Sequence, residues 1–477
     1  MRRILEFGLV TAVVLAVGSF GGTEPVSWTI VQSMILFLGF LLAAHPPRRP
    51  WRPSWKVFWI PAVLLAWVAI QWLASRHGRI GTDTHAIEAQ SLTFFTCIVA
   101  FYVAVEVMQE FKSRERLALS LVFLGLFEAV YGLVQYLAGW QYIWMVPRRF
   151  YTGSATGTYV NHNHFAGFLE MIFPLTLGLA FYHAQKAGSH SRRHSPLKIF
   201  DQLGHPEMLK SILLLLAAMA LFLAAVFSLS RMGMISMFVS IGAMAATVCA
   251  GKNRNLLSGA LIVILLAAGI ATTVWVGAAP IVEHFGQLAQ NELTAQGDRG
   301  RLALWENTWT LIREHPWTGV GLGCFEFAFT SVQSIQPTYI AGHAHNDYLE
   351  LAAELGLPAA TLLFSLFIWM AGKMFHASLC AASGLGRALA LGSLGGVSAL
   401  LAHSVADFNL YIPANALLFA VLLGIGYSVS LDGNASGEFP PSRWAREFSL
   451  GRASDARPAG TSEGGEVGAE VSESPSG

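Results

Sequence analysis

Two histidines near the end of a long polar segment are the residues of this chain whose type and spacing first suggest chemistry. They stand in the run Gly342-His343-Ala344-His345-Asn346-Asp347-Tyr348-Leu349-Glu350, at the edge of an apolar run. Asn346 or Asp347 can cap a helix that begins after His345, and the N–H groups at such a helix start favour a nearby anion. Since imidazole also exchanges protons near neutral pH, this run suggests chemistry at a membrane surface.

Arg231 is a second candidate, because it lies in Ser228-Leu229-Ser230-Arg231-Met232, which separates two apolar runs with almost no loop. An arginine in hydrocarbon costs roughly 2.5–3.5 kcal/mol on insertion scales, so its side chain is expected to face a cavity or a partner. Two interpretations stay open. The side chain snorkels to the membrane interface, or its planar guanidinium group captures an anionic headgroup through paired hydrogen bonds.

Asparagines and histidines also open an earlier apolar segment, in the run Gly157-Thr158-Tyr159-Val160-Asn161-His162-Asn163-His164-Phe165. Asn161 and Asn163 can bind sugar hydroxyls, and they can equally cap the following helix. Other ionisable residues lie within or beside apolar runs. Glu128 and Glu170 are expected to pair inside a helical bundle, and the end of a later run is marked by His403, Asp407 and Asn409.

The pairs His162/His164 and His343/His345 raise the question of a metal site. Residues i and i+2 do not bring both rings to one ion as residues i and i+4 do, and no H-E-x-x-H motif stands nearby. We therefore predict no metal and no cofactor.

The elements that must position these residues are membrane-spanning helices. The chain has 477 residues, of which 54% are hydrophobic and 12% are charged, whereas soluble domains carry about 25% charged residues. Apolar runs of roughly 20 residues recur, which is the length that crosses about 30 Å of hydrocarbon. The net charge of +1 gives no reason to expect a nucleic-acid partner. We predict an all-α polytopic membrane protein in contact with membrane lipids.

The apolar runs predict twelve transmembrane helices, with ends that are soft by several residues. Lysine and arginine concentrate in one set of connecting loops, and the opposite set contains arginine but no lysine. Because positively charged loops stay in the cytoplasm, both termini are predicted to be cytoplasmic. The candidate spans lie near residues 4–21, 26–44, 57–74, 92–109, 117–138, 164–184, 211–229, 232–250, 256–276, 355–372, 387–407 and 411–430.

Three parts of the chain follow from this pattern. Residues 1–431 form the predicted transmembrane helical domain, and residues 277–346 form a large outer loop inserted between spans nine and ten. This loop faces the periplasm if the cell is Gram-negative. Residues 432–477 are rich in Gly, Ser, Glu, Ala and Pro and lack the apolar content to offset ordering entropy, so we predict a disordered cytoplasmic tail.

The outer loop contains a predicted amphipathic helix. Trp305, Trp309 and Ile312 fall at positions i, i+4 and i+7, the spacing of one helical face, and Leu304 and Leu311 widen that apolar stripe. Arg301 lies four residues before Trp305 and therefore on the same face. Pro316 ends the helix. We expect this helix to lie on the membrane or against other helices.

Taken together, these motifs resemble the O-antigen ligase and Wzy-type polymerase family. The resemblance covers most of residues 90–430, and the block 301–356 is its specific part. It implies a GT-C-like helical bundle that transfers a glycan from a polyprenyl pyrophosphate, such as undecaprenyl pyrophosphate, at the outer face of the bacterial inner membrane. The matching motifs are Arg301-x-x-x-Trp305, Pro316-Trp317-Thr318-Gly319-Val320-Gly321, His345-Asn346-Asp347-Tyr348-Leu349, Ser230-Arg231 and Asn161-His162-Asn163-His164-Phe165.

The resemblance also implies roles for single residues. His345 would be the catalytic base, and Arg231 and Arg301 would bind the pyrophosphate. The acceptor would be the lipid A core of lipopolysaccharide, another glycan or a protein, and such glycosyltransferases are thought to need no metal. Ligase and polymerase share this pattern. Candidate contacts to the glycan or acceptor are Asn161, Asn163, Trp305, His343, Asn346 and Tyr348.

Two other classes of function stay open at this point. A small-solute transporter, for example of the bicarbonate type, fits twelve spans and the intramembrane residues Glu128 and Glu170. Transporters usually place their binding sites near mid-membrane, however, whereas the marked polar residues here cluster at the outer face. A non-catalytic scaffold of an export assembly would instead use the tail to bind partners.

Overall fold

The computed structural model of the chain describes residues 1–46, 54–78, 83–190, 205–251, 298–334 and 341–432. These residues form helices, one hairpin of strands β1 (Tyr142–Ile143) and β2 (Val146–Pro147), and two short 3₁₀ helices, Phe20–Gly22 and Asn409–Tyr411. The α-helices are α1 (Arg2–Gly18), α2 (Pro25–Ala44), α3 (Trp55–Arg76), α4 (Thr84–Val107), α5 (Phe111–Leu137), α6 (His162–His190), α7 (Pro206–Phe227), α8 (Arg231–Ala250), α9 (Asp298–Glu314), α10 (Phe325–Phe329), α11 (Asp347–Leu355), α12 (Leu357–Cys380), α13 (Gly384–His403) and α14 (Pro413–Asp432).

Ten of the described helices, α2 to α8 and α12 to α14, are long and apolar enough to cross a membrane. The chain is therefore an all-α polytopic membrane protein, as predicted. Helix α1, with 17 residues, corresponds to the first predicted span. The ninth predicted span near 256–276, residues 277–297 and 335–340 of the predicted outer loop, and the tail after Asp432 lie outside the described residues.

Helix α4 begins earlier than the predicted span near 92–109. Asp83 caps it, since one carboxylate oxygen accepts hydrogen bonds from His85 N at 2.8 Å and Ala86 N at 3.3 Å. A cap of this kind satisfies N–H groups that have no partner within the helix. The helix therefore extends through polar residues that hydropathy alone assigns to a loop.

The centre of the bundle consists of α6, α13 and α14, whose apolar stretches are 94%, 78% and 89% buried. The corresponding values for α2 and α3 are 28% and 22%. Exposed side chains on these two helices include Phe37, Phe40 and Trp59, which suit contact with lipid tails. The central helices are thus the rigid frame on which polar residues can be held in place.

Glycines bring α6 and α13 together backbone to backbone. A Cβ added at Gly392 would lie 2.6 Å from Leu175 Cα, and one at Gly396 would lie 2.7 Å from the Met171 carbonyl oxygen. Small residues permit this close approach between membrane helices. The contact holds the first residues of α6 and the last residues of α13 at the same end of the bundle.

Helices α9, α10 and α11 pack together outside the spans. Helix α9 buries Leu304, Thr308 and Leu311, at the i, i+4, i+7 spacing of an amphipathic helix. Trp309, which belongs to the predicted apolar stripe, is 45% exposed. The face buried against protein is centred one residue earlier along the helix, and the expected contact of the stripe with the membrane stays a prediction.

The glycine run that follows α9 packs against the end of α11. Val320 N donates to Ala353 O at 2.9 Å, and Gly321 N donates to Glu354 O at 3.0 Å. Gly319 has a φ of 65°, and a Cβ added there would lie 2.1 Å from the Glu354 carbonyl oxygen. Only glycine fits this approach, so the run fastens α11 to the helices beside it.

Candidate active site

A cavity of about 700 Å³ lies at the end of the bundle where α6 and α8 begin and α13 ends. Its wall includes the predicted residues Arg231, Arg301, Asn163 and Trp305, together with Asp407. Two guanidinium groups from different helices therefore border one space. Because an arginine fork binds phosphate oxygens in pairs, this cavity has the chemistry of a site for a phosphorylated ligand.

A tight turn positions Arg231 as the first residue of α8. Ser230 Oγ caps the helix by accepting from Gly233 N at 3.1 Å, and Ser228 Oγ accepts from Ser230 N at 3.2 Å. Leu229 between these serines has a φ of 60°, which costs a non-glycine residue about 1–2 kcal/mol. The hydrogen bonds hold this strained turn, so the backbone of Arg231 has little freedom.

Asp407 is the buried carboxylate on which three imidazoles converge. Its Oδ1 lies 3.4 Å from His345 Nδ1 and 3.8 Å from His164 Nε2, and its Oδ2 lies 3.8 Å from His403 Nε2. Phe408 N donates to Asp407 Oδ1 at 2.9 Å. Burial alone would raise the pKa of Asp407, but the His345, His164 and His403 rings hold that pKa well below its usual range.

His345 contacts Asp407, which lines the cavity. The described wall of the cavity does not include His345 itself, whose side chain is 32% exposed. Its backbone has a φ of 49°, a left-handed conformation that is uncommon for any residue other than glycine. Such strain is found at functional sites when neighbouring contacts enforce it, and the next residues supply those contacts.

Hydrogen bonds connect the segment after His345 to the segment after α13. Asp347 N donates to Ser404 O at 2.9 Å, and Asn346 Nδ2 donates to Val405 O at 2.8 Å. Asn346 Oδ1 accepts from Leu349 N at 3.0 Å and caps α11, as predicted. Both polar ends of the Asn346 amide are thus used within the protein. The proposed contact of Asn346 with a glycan stays a prediction.

Two other residues of this run are also tied to the helical bundle. Asp347 Oδ2 accepts from Ser404 Oγ at 2.6 Å, and burial raises the pKa of Asp347 well above its usual value. Tyr348 OH donates to Leu401 O at 2.7 Å, its ring lies 4.5 Å from that of Phe364, and burial raises its pKa to about 12. These contacts direct Tyr348 toward α12 and α13.

His343 forms a pair of its own, separate from His345. Its Nδ1 lies 2.7 Å from Glu350 Oε1, and its ring stacks on Phe408 at 3.9 Å between centroids. Burial would lower the pKa of His343, but the Glu350 carboxylate raises it. The His345 ring contacts the same Phe408 edge-on at 4.9 Å. Among the described residues, no group of His, Cys, Asp and Glu has the arrangement of a metal site.

The remaining predicted contacts divide between structural and cavity positions. Asn161 Oδ1 accepts from Asn163 N at 2.8 Å at the start of α6, which is the capping interpretation. Asn163 lines the cavity. Trp305 also lines the cavity, and its Nε1 donates to Ala344 O at 3.1 Å. Trp305 therefore connects α9 to the residue between the two histidines.

Tyr151, Gly153 and Ser154 also line the cavity, and the sequence analysis did not identify them. Their loop is held by α5: Gln135 Nε2 donates to Gly157 O at 2.9 Å, and Glu128 Oε2 accepts from Thr158 N at 2.9 Å. Glu128 thus pairs with this loop. The i, i+7 spacing of Glu128 and Gln135 on one helical face is the available signal for such a contact.

Comparison with protein families adds an independent observation. Residues 216–364 match the family model described as O-antigen ligase (Wzy_C). This part of the chain is similar to the O-antigen ligase family. The family resemblance predicted from the motifs is therefore confirmed. The matched residues include Arg231, Arg301 and His345, and they end before His403 and Asp407. Among curated proteins, none matches the chain.

Proposed function

We propose that this protein transfers a glycan from a polyprenyl pyrophosphate to an acceptor hydroxyl group, in the manner of an O-antigen ligase or a polysaccharide polymerase. One observation carries the proposal. An imidazole paired with a buried carboxylate lies beside a cavity that two guanidinium groups border. The family match over residues 216–364 supports the same chemistry.

His345 acts as the general base in this proposal. A neutral imidazole takes the proton of the acceptor hydroxyl as its oxygen attacks the anomeric carbon, a contribution of about 100- to 10,000-fold in rate. Asp407 contacts the ring at Nδ1, so Nε2 is the nitrogen left to receive the proton. The negative Asp407 then stabilises the imidazolium that forms.

Arg231 and Arg301 bind the pyrophosphate. As the new carbon–oxygen bond forms, the bond from the anomeric carbon to the phosphate oxygen breaks, and pyrophosphate leaves with the electron pair. It departs as an anion without a proton, so stabilisation of charge is the main requirement. Donors of this kind typically contribute about 100- to 1000-fold each. Direct displacement inverts the anomeric centre.

The substrates follow from this chemistry. The donor is an undecaprenyl-pyrophosphate-linked glycan, and the acceptor is the lipid A core, another glycan or a protein. The lysine and arginine distribution supports a site open to the periplasm, with both termini in the cytoplasm. His343, Asn163 and Trp305 are proposed contacts to the glycan or acceptor, and the reaction needs no metal in this proposal.

The test is glycan transfer by purified protein in proteoliposomes, with an undecaprenyl-pyrophosphate oligosaccharide and lipid A core. We expect His345→Ala, Arg231→Ala and Arg301→Ala each to lower the rate about 100-fold or more. Arg313→Ala is the matched control, since Arg313 is an exposed arginine on the same helix as Arg301. Full activity of all three variants would contradict the proposed site. Flux of a small solute without any donor would instead support a transporter.

A further inference from the structure

A chain of buried ionisable groups extends from the candidate base into the bundle. His403 Nδ1 lies 3.1 Å and 3.0 Å from the two carboxylate oxygens of Glu170, and both side chains are fully buried. The other ring nitrogen, Nε2, lies 3.8 Å from Asp407 Oδ2. Asp407 in turn contacts His345. A single imidazole, from α13, thus stands between two carboxylates.

The two carboxylates beside His403 favour a doubly protonated ring. A neutral imidazole has one N–H donor, and its second nitrogen is an acceptor. With one proton, the ring would direct a lone pair at a carboxylate oxygen on one side. A doubly protonated ring donates one N–H to Glu170 and directs the other toward Asp407 Oδ2, which lies 3.8 Å away, beyond hydrogen-bond distance. Its positive charge also neutralises one of the two buried carboxylates, whose burial without a counter-charge would cost free energy.

We propose that His403 is a positioning residue, held as an imidazolium by Glu170, whose charge moderates the influence of Asp407 on His345. This inference rests on the proposed function of His345 as the base. A base must start the reaction neutral and yet be stabilised once it takes the proton. Asp407 stabilises the imidazolium that forms at His345, and the adjacent positive charge of His403 offsets part of that stabilisation.

Other charged groups border the same region and also act electrostatically on Asp407 and His345. His164 on α6 lies 3.8 Å from Asp407. Arg231 on α8 and Arg301 on α9 line the cavity that His403 and Asp407 also line. Once the donor binds, these two arginines pair with its pyrophosphate, which offsets their positive charge. His403 differs from them because Glu170 pairs with it from within the bundle.

The first experiment is the rate–pH profile of His403→Gln in the proteoliposome transfer assay. Without the positive charge, Asp407 favours the protonated His345 more strongly, so the acidic limb moves to higher pH by about one unit. We expect the maximal rate to fall about 10-fold or more, as is common when a supporting partner of a site is removed. A residue with a purely structural role would lower the rate without moving the limb.

The second experiment uses the double variant Glu170→Gln/His403→Gln and needs no catalytic readout. His403→Gln leaves Glu170 buried without its partner, so the melting temperature in detergent is expected to fall. Replacing Glu170 as well removes that unpaired carboxylate, and the melting temperature is expected to recover. The acidic limb of the double variant stays displaced, because the charge beside Asp407 is still missing.

These outcomes separate the inference from the proposed function. A His403→Gln profile that superimposes on that of the unmodified protein overturns the inference, as does a double variant no more stable than His403→Gln. If the unmodified protein transfers no glycan, the proposed function fails, and the stability comparison still reports on the Glu170–His403 pair. His376→Gln, at an exposed position on α12, is the control and should match the unmodified protein.

Discussion

At the scale of single residues, Asp407 connects the cavity to three histidines. Asp407→Asn keeps the shape of the side chain and removes the charge that stabilises an imidazolium at His345. We expect the transfer rate to fall about 100-fold or more. Because the Asp407 charge also favours a proton on His345, the acidic limb of Asp407→Asn should move to lower pH, and the loss should be smaller at mildly acidic than at mildly alkaline pH.

Glu326→Gln provides the control for that substitution, since Glu326 is an exposed carboxylate on α10. It should leave the transfer rate unchanged. A rate for Asp407→Asn within a factor of about two of the unmodified protein would show that His345 needs no buried carboxylate.

The residues of the site could be predicted from sequence to different degrees. Arg231 was conspicuous because a charged side chain between two apolar runs needs a reason to be there, and Arg301 because it lies on the tryptophan face of the predicted amphipathic helix. Asp407 could be recognised only as the end of a span, since its partners His164 and His345 are remote in sequence. Tyr151, Gly153 and Ser154 carry no chemical signal of their own, and only the folded loop brings them to the cavity.

At the scale of elements, the packing of α6 against α13 depends on glycine. In Gly392→Ala the new Cβ would lie 2.6 Å from the Leu175 backbone, so the helices must separate. Overpacking of this kind typically costs about 1–3 kcal/mol. We expect a lower melting temperature in detergent and a lower transfer rate, because both helices carry histidines of the site.

Gly372→Ala is the matched control on α12, where an added Cβ meets no atom within 4 Å. Alanine favours the helical conformation over glycine, so this variant should melt at the same temperature or higher. Equal destabilisation by both substitutions would mean that the close contact is not the cause.

The buried carboxyl group of Glu354, at the end of α11, is expected to make the free energy of unfolding depend on pH. Burial and the nearby Glu350 raise its pKa to about 8, whereas the unfolded value is about 4.3. The folded state therefore favours the protonated group. Its contribution to stability is complete below about pH 4.3 and is lost as pH rises through about 8.

Glu354→Gln mimics the protonated carboxyl group and tests this dependence. The melting temperature of the unmodified protein should decline more between about pH 6 and pH 9 than that of the variant. Glu306→Gln, at an exposed position on α9, should decline like the unmodified protein. Parallel curves for Glu354→Gln and the unmodified protein would exclude Glu354 as the titrating group.

The membrane helices were the most predictable elements, because continuous apolar runs have few alternatives to a span. Their ends were less predictable: α4 begins at a polar cap that hydropathy does not register. On α9, Trp309 belongs to the predicted apolar stripe and is nevertheless exposed. A large apolar side chain can stay exposed, so composition along one stripe does not decide which face is buried.

At the scale of the whole molecule, the orientation in the membrane is open to direct measurement. Cys249 and Cys380 are exposed at the ends of α8 and α12, which the charge distribution assigns to the cytoplasm. A membrane-impermeant maleimide should leave both unlabelled in intact cells and label them after permeabilisation. The variant Trp309→Cys, at an exposed position on α9, should be labelled in intact cells.

Labelling of Cys249 or Cys380 in intact cells would reverse the orientation and put the cavity on the cytoplasmic side. The order of helices in the bundle was beyond sequence analysis. It depends on glycine contacts such as Gly396 with Met171, and a glycine in an apolar run does not specify which helix will approach it.

The backbone of His345 determines which inactive variant is most informative. Its φ of 49° suits asparagine, which tolerates left-handed geometry better than alanine or β-branched residues do. His345→Asn should therefore preserve the loop while removing the proton acceptor. Such a protein would bind the lipid-linked donor and the acceptor together without turnover, which makes it the form to choose for visualising both substrates in place.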